Sequence, residues 1–161
     1  MTRHLDIPDE AALARLAERL AEATEAGDAL LLIGDLGAGK TTFARYFIRA
    51  RSIEDDVPSP TFSLVQAYDA PDGAGPTIWH FDLYRLDDER DLLELGLEDA
   101  LAGGITLIEW PDRMGRLSPT DRLEIKLDFG GAEGAREVTL QGYGAWAEKL
   151  TKLFGTDHDG D

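Results

Sequence analysis

Cysteine is absent from the chain. That excludes both a disulfide framework and a thiolate metal site. Asparagine is absent as well. No apolar run approaches the roughly 18 residues needed to span a bilayer. The opening stretch, MTRHLDIPDE, lacks the apolar centre of a secretory signal, so a cytoplasmic location is expected. Positive charge is scarce: 16 Lys and Arg face 32 Asp and Glu, a net charge of −16. Direct nucleic-acid binding is dominated by cationic contacts to phosphate, which disfavours a stand-alone DNA or RNA binder. The acidic excess reads as a solubility feature.

What is present is a globular chain of 161 residues, 43% hydrophobic and 30% charged. This suits one domain, expected over residues 1–154, large enough to bury a real core. The polar end, residues 155–161, is expected to be a disordered acidic tail.

The chain is organised around Ala29 to Phe47, ALLLIGDLGAGKTTFARYF. The apolar run Ala29–Ile33 reads as a fully buried strand. A glycine-rich turn from Gly34 to Gly39 follows, then Lys40 and Thr41. Phe43, Tyr46, Phe47 and Ala50 then recur at i, i+3, i+4 and i+7, the period of a helix. Strand, GxxxxGK[ST] and helix in that order form a P-loop in its required context. A phosphate chain needs converging backbone N–H groups with no Cβ in the way, which Gly34, Gly37 and Gly39 permit. The helix start adds unpaired N–H groups and a positive dipole end. Lys40 offers a mobile point charge to the β- and γ-phosphates, and Thr41 a hydroxyl to Mg²⁺.

Residues 1–28 predict one helix, started by Pro8-Asp9-Glu10, carrying Leu13, Leu16 and Leu20 on one face, and stopped near Gly27. After the P-loop helix, Val57-Pro58-Ser59-Pro60-Thr61 is a proline-stiffened turn leading into a strand from Phe62 to about Tyr68. Thr61 stands at the hinge, where a hydroxyl can approach a γ-phosphate and respond to nucleotide state; the same sequence also serves as a plain turn. Pro71-Asp72-Gly73 punctuates a hairpin. The next strand, Thr77 to Tyr84, puts Trp79, Phe81 and Leu83 on one face and Ile78, His80, Asp82 and Tyr84 on the other. A carboxylate in so apolar a strand is costly to bury alone, which singles out Asp82, with Lys40, Arg85 or a metal-bound water as partner. His80 reads as a hydrogen-bonded structural histidine.

Two short helices are expected between Asp87 and Leu101, broken near Gly96. Ile105 to Glu109 reads as a buried strand ending in a carboxylate, with Trp110 and Pro111 behind it. Ligands in open parallel sheets sit beyond the carboxyl ends of strands, so Asp82 and Glu109 compete for the metal-side role. Arg122–Phe129 and Arg136–Gln141 suggest an antiparallel hairpin, and Trp146, Leu150 and Leu153 a closing helix. Lys126-Leu127-Asp128 imitates part of a guanine-reading motif. Ile125 stands where that motif wants Asn or Thr, so guanine specificity is disfavoured and a solvent-facing strand is the simpler reading.

Taken together, GDLGAGKTTFAR (Gly34–Arg45), SPTFSLV (Ser59–Val65), HFDLYRL (His80–Leu86), ELGLED (Glu94–Asp99) and LIEWPDR (Leu107–Arg113) resemble the TsaE family, also called YjeE. This is the bacterial P-loop ATPase family of tRNA threonylcarbamoyladenosine biosynthesis, and the resemblance spans about residues 5 to 145. It implies an α/β fold, a P-loop NTPase-like, mostly parallel sheet flanked by helices with extra antiparallel strands. It implies weak ATP hydrolysis and association with a TsaB–TsaD pair. TsaD, and not TsaE, transfers threonylcarbamoyl, so tRNA is met only through the complex. Carried over, Gly37, Ala38, Gly39, Lys40, Thr41 and Thr42 would bind the phosphates, and Thr41 and Glu109 would hold Mg²⁺. Thr61 would lie in a switch-like loop. Asp82 would be a Walker-B-type or water-positioning acid, and Trp110 would flank the site. Asp9 and Glu10 would lie near the nucleotide base, with Arg136 a further match. Two other readings compete: a small-molecule kinase using Arg113 and Arg116 as a lid, and a non-catalytic nucleotide switch.

Overall fold

The computed structural model describes residues 1–52 and 64–155. The chain opens with a strand, β1 (Thr2–Ile7), where residues 1–28 predict only a helix. Its sequence, TRHLDI, buries only Ile7 fully. β1 lies at the sheet edge against a single neighbour, so it shows neither a continuous apolar run nor a clean alternation. Helix α1 (Glu10–Ala23) follows, with Asp9 as its N-cap: the Ala12 N–H donates to Asp9 Oδ1 at 2.9 Å.

Strand β2 (Ala29–Ile33) and helix α2 (Lys40–Arg51) flank the glycine turn as the pattern requires. Phe43 and Phe47 are buried as expected, but the apolar face turns through Ala44 and Ile48 instead of Ala50, which is exposed. α2 packs against α1. Next come β3 (Val65–Tyr68), a 3₁₀ turn over Pro71–Gly73, and β4 (Ile78–Asp82). Helices α3 (Asp91–Glu94) and α4 (Leu97–Gly103) are divided at Gly96, whose φ of 91° is the left-handed turn that glycine takes without strain. β5 (Ile105–Glu109), a kinked 3₁₀ segment over Pro111–Leu117, β6 (Arg122–Phe129), β7 (Arg136–Tyr143) and α5 (Ala145–Phe154) complete the order.

The seven strands form one sheet, in the order β1-β7-β6-β2-β5-β4-β3. The central four, β6, β2, β5 and β4, are parallel, and antiparallel strands extend both ends. This is a P-loop NTPase-like α/β fold. β2 sits between β6 and β5, and elements packed on either side of the sheet cover both its faces. Leu30 and Leu32 join the core beneath α1, α2 and α5, while Leu31 joins a second core with Phe81, Leu92, Leu97 and Ile108 beneath α3 and α4.

The parity of the strands decides which side chains meet the P-loop. Ile78 on β4 and Ile105 and Leu107 on β5 belong to the core on the α2 side. His80 and Asp82 share the parity of Ile78, and Glu109 shares that of Leu107, so all three lie on the face that carries α2.

Candidate functional site

β4 and β5 end side by side. Asp82 and Glu109 are register partners across this parallel pair, and Glu109 also pairs with Leu32 of β2, just ahead of the P-loop. The glycines set the loop's path. A Cβ on Gly34 would lie 2.6 Å from the Leu127 carbonyl oxygen, closer than any real Cβ approaches backbone. Gly39 starts α2 with φ 111° and no side-chain cap. The first N–H groups of this 12-residue helix therefore lack an intrahelical acceptor and face the loop mouth.

Lys40, Thr41, Thr42, Gly37, Gly39, Asp82, Glu109, Trp110 and Arg136 line one cavity of about 410 Å³, together with Leu36, Tyr84 and Arg85. Ala38 is buried in the loop wall. Asp9 and Glu10 line a smaller space of about 210 Å³ that shares Gly39, Thr42 and Arg136 with the first. Thr61 lies outside the described residues, as do residues 156–161 of the expected tail. Neither Arg113 nor Arg116 is among the residues lining the first of these cavities; Arg116 is turned instead to Glu89, its Nε 3.6 Å from Oε1.

Lys40 is only 5% exposed. Its ammonium donates to the Gly34 carbonyl and stands 3.4 Å from the centre of the Trp110 ring, a cation–π contact. Trp110 reaches this position through a left-handed backbone, φ 60° and ψ 54°. For a bulky residue that conformation costs about 1–3 kcal/mol. Tyr84 leans on the same indole, ring centres 4.9 Å apart. Arg136 stitches β7 to the loop: its Nε donates to the Ala38 carbonyl at 2.8 Å and Nη2 to the Gly37 carbonyl at 3.3 Å.

Glu109 is 2% exposed and accepts from two sides. The Thr41 hydroxyl lies 2.9 Å from Oε1 and 3.1 Å from Oε2. His80 Nε2 lies 2.7 Å from Oε2. His80 is thus hydrogen-bonded as the sequence suggested, and its partner is Glu109, one of the two carboxylates that competed for the metal-side role. Its shared parity with Asp82 was the available signal. Tyr84 is likewise a cavity residue that sequence left without a site role, and Arg85, which sequence offered only as a partner for Asp82, lines the cavity too; both directly follow the Asp82 strand end.

The residues fit Mg²⁺. When Thr41 donates its hydroxyl hydrogen to Glu109, its oxygen keeps lone pairs for a cation. Among the described residues no group of three or more His, Cys, Asp and Glu gathers to cage an ion. Mg²⁺ needs no such cage: it takes one or two protein oxygens and completes its shell with phosphate and water.

Burial pushes the Asp82 carboxyl above its ordinary pKa of 3.8, and the nearby Glu109 charge adds to this. The Tyr84 backbone N–H, 3.1 Å from Oδ1, pulls the other way without cancelling it. A carboxyl whose folded pKa is raised destabilises the fold above that pKa. The penalty fades as pH falls towards the unfolded value. Asp82→Asn is therefore expected to raise Tm at pH 7–8, and the gain should shrink as the buffer approaches pH 4. An ATPase built on this cavity should lose about 100-fold in turnover with the same variant. Thermal melts across pH and a phosphate-release assay check both halves.

A further cavity, about 530 Å³, takes Gly34 and Asp35 of the loop into its lining, with Trp110 in its wall as well as in that of the 410 Å³ cavity. Lys126 and Asp128 line it from an exposed strand face, the solvent-facing strand that the sequence suggested.

The fold and the loop–helix cavity define a P-loop α/β protein. Comparison with known proteins narrows the class. Residues 7–138 match the family described as threonylcarbamoyl adenosine biosynthesis protein TsaE, and the chain belongs to that family. It is 39% identical over 136 residues to the tRNA threonylcarbamoyladenosine biosynthesis protein TsaE of Bacillus subtilis, covering 84% of this chain and 82% of that one. The Rickettsia conorii protein of the same name is 43% identical over 115 residues, which cover 71% of this chain and 64% of the relative. The crystal structure of Bacillus subtilis YdiB superimposes with a TM-score of 0.79 at 27% identity, covering 95% of this chain and 94% of that one.

Proposed function

We propose that this chain is an ATP-binding, weakly ATP-hydrolysing accessory subunit of tRNA threonylcarbamoyladenosine biosynthesis. In this reading it is cytoplasmic, acts with a TsaB–TsaD pair, and does not itself transfer the threonylcarbamoyl group. One observation carries the catalytic part: Lys40, Thr41, Asp82 and Glu109 share a single cavity at the mouth of the P-loop in a chain of the TsaE family.

The roles follow from chemistry. The α2 N–H groups and the backbone from Gly37 to Thr42 cradle the β- and γ-phosphates. Lys40 leaves the Gly34 carbonyl and the Trp110 face to meet them. Thr41 and Glu109 hold Mg²⁺, which supplies charge neutralisation to the phosphate oxygens. Asp82, whose raised pKa makes it a better base than a free carboxylate, orients the attacking water. Asp9, Glu10 and Arg136 border the adjoining space, which is placed to receive the base and ribose. The acidic net charge of −16 agrees with a subunit that meets tRNA only through its partners.

The test is ATP turnover by the purified chain, alone and then with TsaB–TsaD and tRNA. Slow turnover alone, rising at least about 10-fold in the complex, is the expected result. Turnover indifferent to the partners, with phosphoryl transfer to an added acceptor, would overturn it in favour of a kinase. The cavity argues against that outcome, since Arg113 and Arg116 do not line it.

A further inference from the structure

We infer that His80 is a positioning residue for Glu109, holding its carboxylate in the orientation that Mg²⁺ requires. The inference rests on the proposed metal role of Thr41 and Glu109.

His80 lies in the interior of the sheet, on β4 between β5 and β3, and is completely buried. Its Nε2 is 2.7 Å from Glu109 Oε2. An ionised carboxylate only accepts, so Nε2 carries the hydrogen. The other ring nitrogen, Nδ1, is buried and has no hydrogen-bond partner among the described residues. A histidine that merely filled the core would be expected to satisfy both nitrogens, and an apolar side chain would fill the same space with no orphaned atom. An unpaired buried nitrogen is a cost. The ring's one bond goes to Glu109, which shows where the histidine acts.

Glu109 gains a fixed plane from this bond. A glutamate has three side-chain torsions, and one hydroxyl donor leaves the carboxylate free to rock. Thr41 at 2.9 Å from Oε1 and His80 at 2.7 Å from Oε2 hold the two oxygens from different elements, α2 and β4. Glu109 nevertheless still lines the phosphate cavity. Partners of this kind behind a metal ligand set affinity by 10–100-fold when removed. The strand pattern brings this about: Asp82 and His80 stand two residues apart on one face, the first reaching the cavity directly and the second acting one shell behind it.

The test is calorimetric titration of the intact chain with adenylyl imidodiphosphate, once with Mg²⁺ and once with EDTA, so that no turnover is involved. The native chain is expected to bind more tightly with Mg²⁺ than with EDTA. His80→Leu should lose about 10-fold or more in the Mg²⁺ arm and stay within about twofold in the EDTA arm. His80→Gln, whose amide nitrogen can stand where Nε2 stood, should recover most of the loss, whereas the shorter His80→Asn should not. If His80→Leu does not fold, the Gln and Asn variants decide: equal affinities with Mg²⁺ would overturn the inference. Equal losses with and without Mg²⁺ would also overturn it, since they would mark a packing role. A native chain indifferent to Mg²⁺ would remove the metal reading itself, and the inference with it.

Discussion

Lys40→Ala is expected to lower ATP turnover about 1,000-fold, equivalent to roughly 4 kcal/mol of transition-state stabilisation. The lysine is the cation of the P-loop proper, and phosphoryl transfer depends on stabilising charge that spreads over the γ-phosphate oxygens. Its setting makes the loss specific. Nζ rests on the Gly34 carbonyl and on the Trp110 ring, with Glu109, Asp82, Asp35 and Asp112 supplying negative field. The ammonium is therefore held at the cavity, ready to exchange a carbonyl and an indole for phosphate oxygens. Ground-state affinity for ADP should fall less than turnover, because the γ-phosphoryl contact is strongest in the transition state. Loss of folding is separable. Burial holds the Lys40 pKa below its ordinary 10.5 despite those carboxylates, so the folded state carries a cost for the charge at neutral pH, relieved as pH rises towards the unfolded value. Lys40→Met keeps the apolar stem without the charge and should melt no lower than the native chain. Turnover near the native rate in either variant would remove the ATPase reading.

The parts of this molecule that announce themselves in sequence are those whose physics is local. Ala29–Ile33 is buried on both faces and reads as an apolar run; GxxxxGKT needs its glycines within the loop itself; Gly96 divides two helices where its own backbone demands it. β1 was missed because an edge strand with one neighbour needs little apolar content, and its place is set by pairing with β7, at the other end of the chain. The acids show both regimes. Asp82 and Glu109 stood out because each ends an apolar strand, yet that they are register partners is a property of the sheet order. His80 read as a hydrogen-bonded structural histidine; its parity with Asp82 put it on the same face, but nothing in its own strand names Glu109 as the partner. Asp9 was legible as a helix start, which is what its bond to Ala12 makes it.

Glu109→Gln should separate metal-dependent chemistry from nucleotide binding. Turnover is expected to fall about 1,000-fold, since the substitution removes the only charged group proposed to hold Mg²⁺ while keeping the side chain's size. Affinity for adenylyl imidodiphosphate in EDTA should hold or tighten, because one negative charge leaves a cavity built for phosphate. Glu109→Ala adds a structural loss that Gln spares. It strips the acceptor from both the Thr41 hydroxyl and His80 Nε2, each at hydrogen-bond distance in a buried setting. Buried donors left without partners cost about 1–3 kcal/mol each, so Glu109→Ala should melt well below Glu109→Gln, by several degrees for a chain of this size. The charge also acts on its neighbour. Glu109 is the foremost carboxylate holding the Lys40 proton in place, and its removal should depress the lysine's pKa further. A double-mutant cycle between Lys40→Met and Glu109→Gln is accordingly expected to show strong non-additivity in both stability and turnover. Additive losses would mean that the two residues work independently, which their shared cavity argues against.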